Sequence, residues 1–334
     1  MNIKQIPIYF INRNRLESLK KFISWLTREG FTNIKVIDNQ STYPPLIDYY
    51  SSLGNSVEVI RLDKNIGPWV LWQLGMHKQI KSNYIVSDSD LYPSDFCPSD
   101  LIGYMHNILS QHREILKVAP GLNLENISPN YSPGELAWEW ESQYWHKPVG
   151  RCLFAAEVDT TFAMYRFGED FSRDSSKNLR LGYPYLIEHS PWHVNDSNLS
   201  DEEIFYRKNT ERGFSYWSAN KPDERLMSSE YIKNKPTKKI LHLGGGNEYI
   251  PGWVNMDISG RKLDLNFDLN NCKSEKIPFD DNTVDGFYMS HVFEHISDTL
   301  SLMSELYRIG KTGLNFLSGC PTVRAMMLGR IQLM

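Results

Sequence analysis

Two aspartates that could hold a metal ion stand one residue apart, at Asp88 and Asp90. Carboxylates at this spacing can approach Mn²⁺ or Mg²⁺ directly or through water, and they leave coordination positions open for the oxygens of a diphosphate. Such a metal would neutralise negative charge on a departing nucleoside diphosphate. The apolar run before them, residues 84–87, predicts a buried strand, so the pair would follow the carboxyl end of that strand.

Earlier in the chain, three apolar runs that also predict strands alternate with helical patterns; they span residues 6–11, 34–37 and 57–62. This alternation predicts an α/β fold with a mostly parallel sheet and right-handed crossovers. Polar or turn-forming residues follow each run: Asn12, Arg13, Asp38, Asn65 and Gly67. Because ligands bind outside the carboxyl ends of the strands in open α/β sheets, we expect all four strand ends to form one binding rim.

The order of these motifs resembles that of family-2-like GT-A glycosyltransferases. The matching segments are Pro7 to Arg13, Asp38-Asn39-Gln40-Ser41-Thr42, Asn65-Ile66-Gly67 and Asp88-Ser89-Asp90. The resemblance implies a GT-A domain that binds a UDP- or GDP-sugar, with Asp88 and Asp90 serving the metal and Asp38 recognising the donor base. It further implies a donor pocket shaped by other residues at the same strand ends, namely Asn12, Arg13, Asn65, Gly67 and Ser89.

Glycosyl transfer also needs a base or a nucleophile within reach of the acceptor hydroxyl. Three acidic residues later in the chain are candidates: Glu141, Asp159 and Glu188. The sequence does not choose among them, and it does not distinguish a retaining from an inverting reaction. His189 is a candidate third metal ligand, because a late histidine often completes the metal site in the GT-A enzymes that this sequence resembles. Trp145 and Trp192 could stack on a sugar ring or pack in the core.

A second strand-and-glycine pattern begins near residue 239, where ILHLGGGN predicts a strand that enters a glycine turn. The next predicted strand, residues 253–258, carries Asp257, and an acidic residue there can accept both hydroxyls of a ribose. Residues 239–309 resemble class I S-adenosylmethionine-dependent methyltransferases. The resemblance implies a Rossmann-like sheet in which Gly244 and Gly246 line the methionine part, Asp257 holds the ribose and Asp268 flanks the adenine of S-adenosylmethionine.

The polar stretch at residues 219–238 contains two prolines and predicts a linker at its end. We therefore predict a glycosyltransferase domain over residues 1–232 and a methyltransferase-like domain over residues 233–334. The second domain is short for a full fold of this kind, and after Gly310 it departs from the pattern of the family that it resembles. We expect an incomplete sheet, from a frameshift or truncation near residue 309, and an impaired methyl transfer.

Overall composition restricts the partners of the protein. The net charge is −4, which gives no general electrostatic case for nucleic-acid binding. No apolar run approaches the ~18 residues of a membrane span, although peripheral contact with a membrane stays open. The four cysteines lie far apart, without a metal or disulfide pattern, so a reducing cytoplasm is expected.

Three functions are therefore weighed. The first is a metal-dependent glycosyltransferase that acts on a glycan or a lipid-linked glycan, in the setting of polysaccharide assembly. The second is a methyltransferase for a glycan or a small molecule, with the first domain as its recognition module. The third is a pair of binding or scaffolding domains without catalytic activity. Metal-dependent binding of a nucleoside diphosphate favours the first, and tight binding of S-adenosylmethionine favours the second.

Overall fold

The computed structural model describes residues 2–169, 175–210, 217 and 238–318. The chain divides into two compact units, Met1–Lys233 and Asn234–Met334, which we call unit 1 and unit 2. Most of the predicted linker at residues 219–238 lies outside the described residues. Among the helices of the described ranges, none combines the length and the apolar character that crossing a bilayer requires.

Unit 1 begins with four parallel strands in the order β3-β2-β1-β4, as the alternation of strands and helices predicts. The strands are β1 (Ile8–Asn12), β2 (Ile34–Asp38), β3 (Glu58–Arg61) and β4 (Tyr84–Asp88). Helices α1 (Glu17–Arg28), α2 (Pro44–Ser52) and α3 (Val70–Gln73) lie between them in the chain. The predicted α/β class with a mostly parallel sheet is confirmed. Helix α3 is short, because the chain turns at Gly75, with φ of 66°, before a 3₁₀ turn.

Helix α1 packs against the parallel strands through one apolar face. Leu19, Phe22 and Leu26 recur at helical spacing and are all fully buried. The rings of Phe22 and of Phe10 in β1 meet edge to face, with their centroids 5.2 Å apart. Gly30 follows the helix with φ of 82°, a left-handed conformation that favours glycine and ends helices. The helix thereby holds β1, whose last residue reaches the rim.

The rest of unit 1 extends the sheet beyond β4 in the order β9-β6-β10-β8-β7, with β5 paired to β10. These strands are β5 (Leu91–Pro93), β6 (Lys117–Leu122), β7 (Pro148–Gly150), β8 (Leu153–Ala155), β9 (Ala163–Tyr165) and β10 (Asn178–His189). The helices are α4 (Leu101–Gln111), α5 (Gly134–Ser142) and α6 (Asp201–Asn209). Strand β9 runs antiparallel to both of its neighbours, β4 and β6. The short strands β8 and β9 both lie within residues 152–167.

Unit 2 is a five-stranded parallel sheet in the order β13-β12-β11-β14-β15. Its strands are β11 (Ile240–Leu243), β12 (Val254–Asp257), β13 (Leu265–Asn266), β14 (Val284–Met289) and β15 (Gly310–Ser318). Helix α7 (Thr299–Ile309) begins at Asp298, whose carboxylate accepts the Ser301 amide at 3.0 Å and so caps the helix. Its buried Leu302 and Leu306 pack in the core with Leu241 and Phe287 of the sheet.

Candidate active site

A cavity of about 640 Å³ lies in unit 1 where the carboxyl ends of the four parallel strands meet. Residues from each of the four strand ends line it: Asn12, Arg13, Asn39, Asn65, Gly67, Asp88, Ser89 and Asp90. Parallel strands direct their carboxyl ends to one edge, so segments that lie far apart in the sequence become neighbours. This is the rim that the sequence predicts.

The short antiparallel strand β9 brings a second segment to the acidic pair. Because β9 runs opposite to β4, residues 159–161 that precede it stand beside the end of β4. The backbone amide of Asp88 donates to the carbonyl of Thr160 at 2.8 Å. In turn, the hydroxyl of Thr160 donates to Oδ2 of Asp88 at 2.6 Å. Thr160 therefore fixes both the backbone and the carboxylate of the first aspartate.

The second aspartate is held by β10. Strand β5 follows Asp90 directly and pairs antiparallel with the end of β10, so that Leu91 is in register with His189. The Ser190 amide donates to the carbonyl of Asp90 at 2.8 Å. Nε2 of His189 lies 3.5 Å from Oδ2 of Asp90. The predicted third metal ligand is thus beside the acidic pair, but this nitrogen faces a carboxylate.

Three carboxylates share this part of the cavity. Burial, together with the negative charges of Asp90 and Asp159, raises the pKa of Asp88 well above its ordinary range. Burial also acts to raise the pKa of Asp90, but the neighbouring His189 and Arg15 outweigh it and bring that pKa below its usual value. The floor of the cavity is therefore a place where an added cation would relieve repulsion between carboxylates.

The donor set fits Mg²⁺ or Mn²⁺, because both ions prefer carboxylate oxygens. Among the described residues, no group of three histidine, cysteine or acidic side chains is arranged to hold a metal ion together. Mg²⁺ commonly binds through one or two carboxylates plus substrate phosphates and waters, so a site completed by the substrate does not need such a group. Asp88 and Asp90 fit that kind of site, and His189 contacts Asp90 as a hydrogen-bonding neighbour.

Asn12 connects two strand ends and has no hydrogen-bonding capacity left for a ligand. Its Nδ2 donates to the carbonyl of Arg15 at 3.0 Å and to the hydroxyl of Tyr50 at 2.7 Å. Its Oδ1 accepts the Arg15 amide at 3.3 Å and the hydroxyl of Ser89 at 2.6 Å. A side-chain amide offers two donor hydrogens and two acceptor lone pairs, so all four are used. Asn12, with Ser89, therefore fixes the rim, and the contact with the donor expected at these two residues stays a prediction.

Asp38, which is expected to recognise the donor base, lies behind the cavity surface, and that role stays a prediction. Asp38 is fully buried, and the described residues that line the cavity do not include it. Its Oδ1 accepts the hydroxyl of Tyr50 at 3.1 Å, and its Oδ2 accepts the amide of Ser41 at 3.1 Å. Arg61 approaches Oδ2 at 3.5 Å. The next residue, Asn39, is the one that reaches the cavity.

Asn65 and Gly67 form a turn, and the side chain of Asn39 binds the backbone of this turn. Oδ1 of Asn39 accepts the Ile66 amide and its Nδ2 donates to the carbonyl of Gly67, both at 3.1 Å. Oδ1 of Asn65 accepts the Gly67 amide at 3.1 Å, and Gly67 has φ of 93°, which favours glycine. Nδ2 of Asn65 is buried and has no hydrogen-bond acceptor among the described residues. This nitrogen is a donor that a bound ligand could satisfy.

Two arginines bring positive charge to the same rim. Arg13 lines the cavity, and its Nη2 donates to the carbonyl of Asn209 at 3.4 Å. Arg15 is buried and forms an ion pair with Glu203 of α6. Burial lowers the pKa of Arg15, but the Glu203 carboxylate outweighs this effect and raises it above its ordinary value, so the side chain stays charged. The positive charge of Arg15 lowers the pKa of Asp90.

The three candidate catalytic carboxylates differ in their access to the cavity and in their hydrogen-bond partners. Asp159 lines the cavity and is exposed. Glu141 also lines it, but Oε2 accepts Nη1 of Arg180 at 2.7 Å, and both side chains are buried. Glu188 is buried and is not among the described residues that line the cavity. Its Oε1 accepts hydrogen bonds from the hydroxyl of Ser94 at 2.5 Å and from Nδ2 of Asn123 at 2.8 Å. Neighbouring residues of a strand point to opposite faces, so His189 can reach the rim while Glu188 cannot.

Several residues of the cavity are not predicted from the sequence. They are Arg15, Trp140, Tyr144, Glu157, Thr160, Thr161 and Arg180. The signal for Arg180 is its charge between Leu179 and Leu181 in β10, because a buried charge needs a partner. Of the tryptophans suggested for sugar stacking, Trp145 and Trp192 are 2% and 1% exposed and belong to the core, whereas Trp140 faces the cavity.

In unit 2, the carboxylate of Asp257, which is predicted to bind the ribose, accepts hydrogen bonds from the backbone. Oδ2 of Asp257 accepts the amide of Gly246 at 2.8 Å. Its Oδ1 accepts the amides of Ile258 at 2.6 Å and Ser259 at 3.2 Å. A carboxylate has about four acceptor positions, and three are used here. The remaining capacity is small for a ribose whose two hydroxyls would both be bound, and the role expected for Asp257 stays a prediction.

The other three predicted cofactor residues of unit 2 also serve local structure. Gly244 and Gly246 have φ of 67° and 54°, which favour glycine in a tight turn. A side chain at Gly244 would meet Val292 at 2.4 Å, whereas a Cβ at Gly246 would meet nothing within 4 Å. Oδ1 of Asp268 accepts the amide of Asn270 at 2.9 Å and caps a 3₁₀ turn. These contacts show the local structural roles of Gly244, Gly246 and Asp268, and we derive no chemical step through S-adenosylmethionine.

Comparison with known families concerns the second unit. Residues 252–317 match the family model described as a methyltransferase domain. The match lies within the C-terminal region where the sequence predicts such a domain, and it begins after Gly244 and Gly246. A search of curated protein sequences finds no match.

Solved structures similar to this chain include a mannosyltransferase, PcManGT from Pyrobaculum calidifontis, in complex with GDP-Man and Mn²⁺. It is 9% identical with a TM-score of 0.39, and the alignment covers 68% of this chain and 69% of that one. GalNAc-T7 with UDP, GalNAc and Mn²⁺ is 13% identical with a TM-score of 0.37, over 56% of this chain and 44% of that one. TarS 1–349 of S. aureus is 13% identical with a TM-score of 0.36, and the alignment covers 60% of this chain and 62% of that one. This chain thus spans less than half of GalNAc-T7. The roles of individual residues are argued below from the geometry of the cavity.

Proposed function

We propose that unit 1 is a metal-dependent glycosyltransferase that moves a sugar from a UDP- or GDP-sugar to a glycan or a lipid-linked glycan. The observation that carries the proposal is the meeting of Asp88, Asp90 and Asp159 in one cavity at the carboxyl ends of the parallel strands. Carboxylates that repel each other are stabilised by a divalent cation, and such a cation can in turn bind a diphosphate.

In this proposal, Asp88 and Asp90 hold Mn²⁺ or Mg²⁺, which supplies positive charge to the diphosphate of the donor. Thr160 orients the carboxylate of Asp88 through the hydrogen bond at 2.6 Å. Nδ2 of Asn65 donates a hydrogen bond to the nucleotide-sugar, because this nitrogen is buried and has no hydrogen-bond acceptor among the described residues. Arg13 adds charge at the rim where the nucleotide would lie.

Asp159 is our choice for the carboxylate that acts on the acceptor hydroxyl. Of the three candidates, it alone both lines the cavity and is exposed. A general base must reach the proton that it accepts, and among the described residues Asp159 has no arginine partner comparable to the Arg180 that binds Glu141 at 2.7 Å. Asp159 precedes Thr160 directly, so the contact between Thr160 and Asp88 also places Asp159 beside the two aspartates Asp88 and Asp90.

The test is nucleotide release from a panel of UDP- and GDP-sugars with Mn²⁺, with and without methyl glycosides as acceptors. We expect the wild-type protein to release one of the two nucleotides. Asp159→Asn should lower kcat by about 10²- to 10⁴-fold, the usual range for a lost general base, with a nearly unchanged KM for the donor. Glu188→Gln is the matched control and should keep a kcat close to wild type per folded molecule. Folded protein that releases neither nucleotide from any donor would contradict the proposal.

A methyltransferase is the second candidate function, and the match of residues 252–317 favours it. In that case unit 2 would use S-adenosylmethionine, and unit 1 would recognise the substrate. The backbone contacts of Asp257 weigh against this function. Binding of S-adenosylmethionine distinguishes the two candidates.

A further inference from the structure

The segment that carries Asp159 and Thr160 to the cavity connects β8 to β9 and spans residues 156–162. We call it the connecting segment. It contains neither helix nor strand, so its backbone carbonyls need hydrogen-bond partners from elsewhere in the fold. The four consecutive carbonyls of residues 157–160 each accept a hydrogen bond from a different strand of unit 1. The donors are Arg180 in β10, Lys117 in β6, Tyr165 in β9 and Asp88 in β4.

Two of these donors are long basic side chains that are buried. Lys117 is 1% exposed, and its Nζ donates to the carbonyl of Val158. Arg180 is 4% exposed, and its Nε donates to the carbonyl of Glu157 at 2.7 Å. Arg180 is in register with Ala119, two residues from Lys117, so both side chains lie on the same face of the sheet. A buried basic group needs a polar partner, and both of these groups find one in the connecting segment.

Lys117 acts on the backbone beside Asp159 in two ways. The carbonyl of Val158 belongs to the peptide bond that leads into Asp159, so the hydrogen bond from Lys117 fixes that peptide unit. Nζ of Lys117 also lies 5.5 Å from the centroid of the Tyr165 ring, within the range of a cation–π contact. The hydroxyl of Tyr165 in turn donates to the carbonyl of Asp159 at 3.5 Å. The peptide units on both sides of Asp159 are therefore held.

We propose that Lys117 and Arg180 are positioning residues that fix the connecting segment against the sheet. With the segment fixed, Asp159 faces the acceptor and Thr160 keeps both of its hydrogen bonds to Asp88. The described residues that line the cavity do not include Lys117, so we assign it no contact with the substrate. A displacement of about 1 Å at a reacting group can lower a rate by about 10²-fold. This inference rests on the proposed function, in which Asp159 acts on the acceptor and Asp88 holds the metal.

The first variant is Lys117→Met, which removes the hydrogen-bond donor and keeps a long, unbranched side chain. At saturating Mn²⁺ we expect kcat to fall by about 10- to 10²-fold, with little change in KM for the nucleotide-sugar. Titration of Mn²⁺ in the presence of UDP or GDP should show an affinity about 10-fold lower, because Thr160 then orients Asp88 less well. Val118→Ala is the matched control. It removes volume from the core at the next residue of β6 and should leave both values unchanged in the folded protein.

The second variant is Arg180→Lys, which keeps a positive charge beside Glu141 and loses the Nε donor to the carbonyl of Glu157. We expect a smaller loss of kcat than for Lys117→Met, because this carbonyl lies one peptide unit farther from Asp159. A rise in KM with an unchanged kcat would instead mean that Arg180 binds substrate, and it would overturn the positioning role of this residue. If Lys117→Met does not fold, Arg180→Lys decides the proposal by the same two measurements.

Thermal unfolding of each variant separates positioning from a loss of stability. Folded Lys117→Met with the kcat and the Mn²⁺ affinity of the wild type would overturn the inference. Equal losses in Lys117→Met and Val118→Ala would also overturn it, because Val118→Ala removes no hydrogen bond to the connecting segment. If wild-type protein binds UDP or GDP with Mn²⁺ in these samples, such results overturn the positioning role alone. A folded wild-type protein that binds neither nucleotide would overturn the proposed function, and this inference with it.

Discussion

Asp88 and Thr160 are bound to each other twice, once through their backbones and once through their side chains. The amide of Asp88 donates to the carbonyl of Thr160 at 2.8 Å, and the hydroxyl of Thr160 donates to the carboxylate at 2.6 Å. The two residues are 72 positions apart in the chain, and the antiparallel pairing of β4 with β9 brings them together. The orientation of the first acidic residue therefore depends on a strand from the middle of unit 1.

This relationship predicts that Thr160→Val weakens metal binding without unfolding the protein. Valine has nearly the shape of threonine, so the packing at this buried position is kept while the hydrogen bond to Asp88 is lost. Residues that orient metal ligands typically change metal affinity by about 10- to 100-fold. We expect a loss in this range when Mn²⁺ is titrated in the presence of UDP or GDP. Thr160→Ser keeps the hydroxyl and should retain most of the affinity; equal affinities for the valine and serine variants would contradict the assigned role.

The first half of the site follows from the sequence because it depends on local patterns. Each parallel strand lies in a short, largely apolar run, and the rim residues stand at the end of such a run or a few residues after it. Asp88, Asp90 and Asn65 could therefore be placed near the rim before the structure. The limit of this approach is side-chain direction. Asp38 also ends a strand, but its carboxylate points into the protein, and no local pattern indicates that Tyr50 and Ser41 would bind it.

The second half of the site depends on pairing between distant strands, which periodicity does not contain. Glu188 and His189 are adjacent, and only the register of β10 against β5 decides that His189 approaches Asp90. The same holds for Asp159, which reaches the cavity because β9 runs antiparallel beside β4. The ion pair of Arg180 with Glu141 joins a strand to a helix across 39 residues and has no local signal beyond the buried charge itself.

For unit 2 we predict that the full chain does not bind S-adenosylmethionine saturably. Asp257 accepts three backbone amides, which leaves too little capacity for two ribose hydroxyls. Isothermal titration of S-adenosylmethionine and of S-adenosylhomocysteine into the protein should give only heats of dilution. Saturable binding that Asp257→Asn abolishes would show that the carboxylate is available, and it would favour the methyltransferase function.

A pH dependence is predicted for the stability of unit 2 from His242. Burial lowers the pKa of this side chain to about 4 from an ordinary value of 6.5, and the contact of its Nδ1 with Oδ1 of Asn255 at 3.1 Å offsets the effect only in part. Between these two pH values the unfolded chain binds more protons than the folded one. Stability is therefore lost as the pH falls from 6.5 towards 4, by up to ~3 kcal/mol for a shift of this size.

Hydrogen exchange of peptides that cover β11 measures this loss locally. In the wild-type protein, the free energy of opening should fall over that pH range. His242→Gln cannot titrate there and should show a smaller decline, although its stability at neutral pH is expected to be lower. Parallel declines in the two proteins would exclude His242 as the source of the acid sensitivity.

The central claim is that Asp88 and Asp90 form a metal-dependent site for a nucleoside diphosphate. Its most direct test is isothermal titration of UDP and of GDP, with Mn²⁺ and with EDTA, into the wild-type protein and the double variant Asp88→Asn/Asp90→Asn. Asp48→Asn, an exposed change on α2, is the matched control. We predict that one nucleotide binds only with Mn²⁺, that the control retains this binding and that the double variant loses it. Binding that persists in EDTA or in the double variant, or a folded wild-type protein that binds neither nucleotide, would contradict the claim.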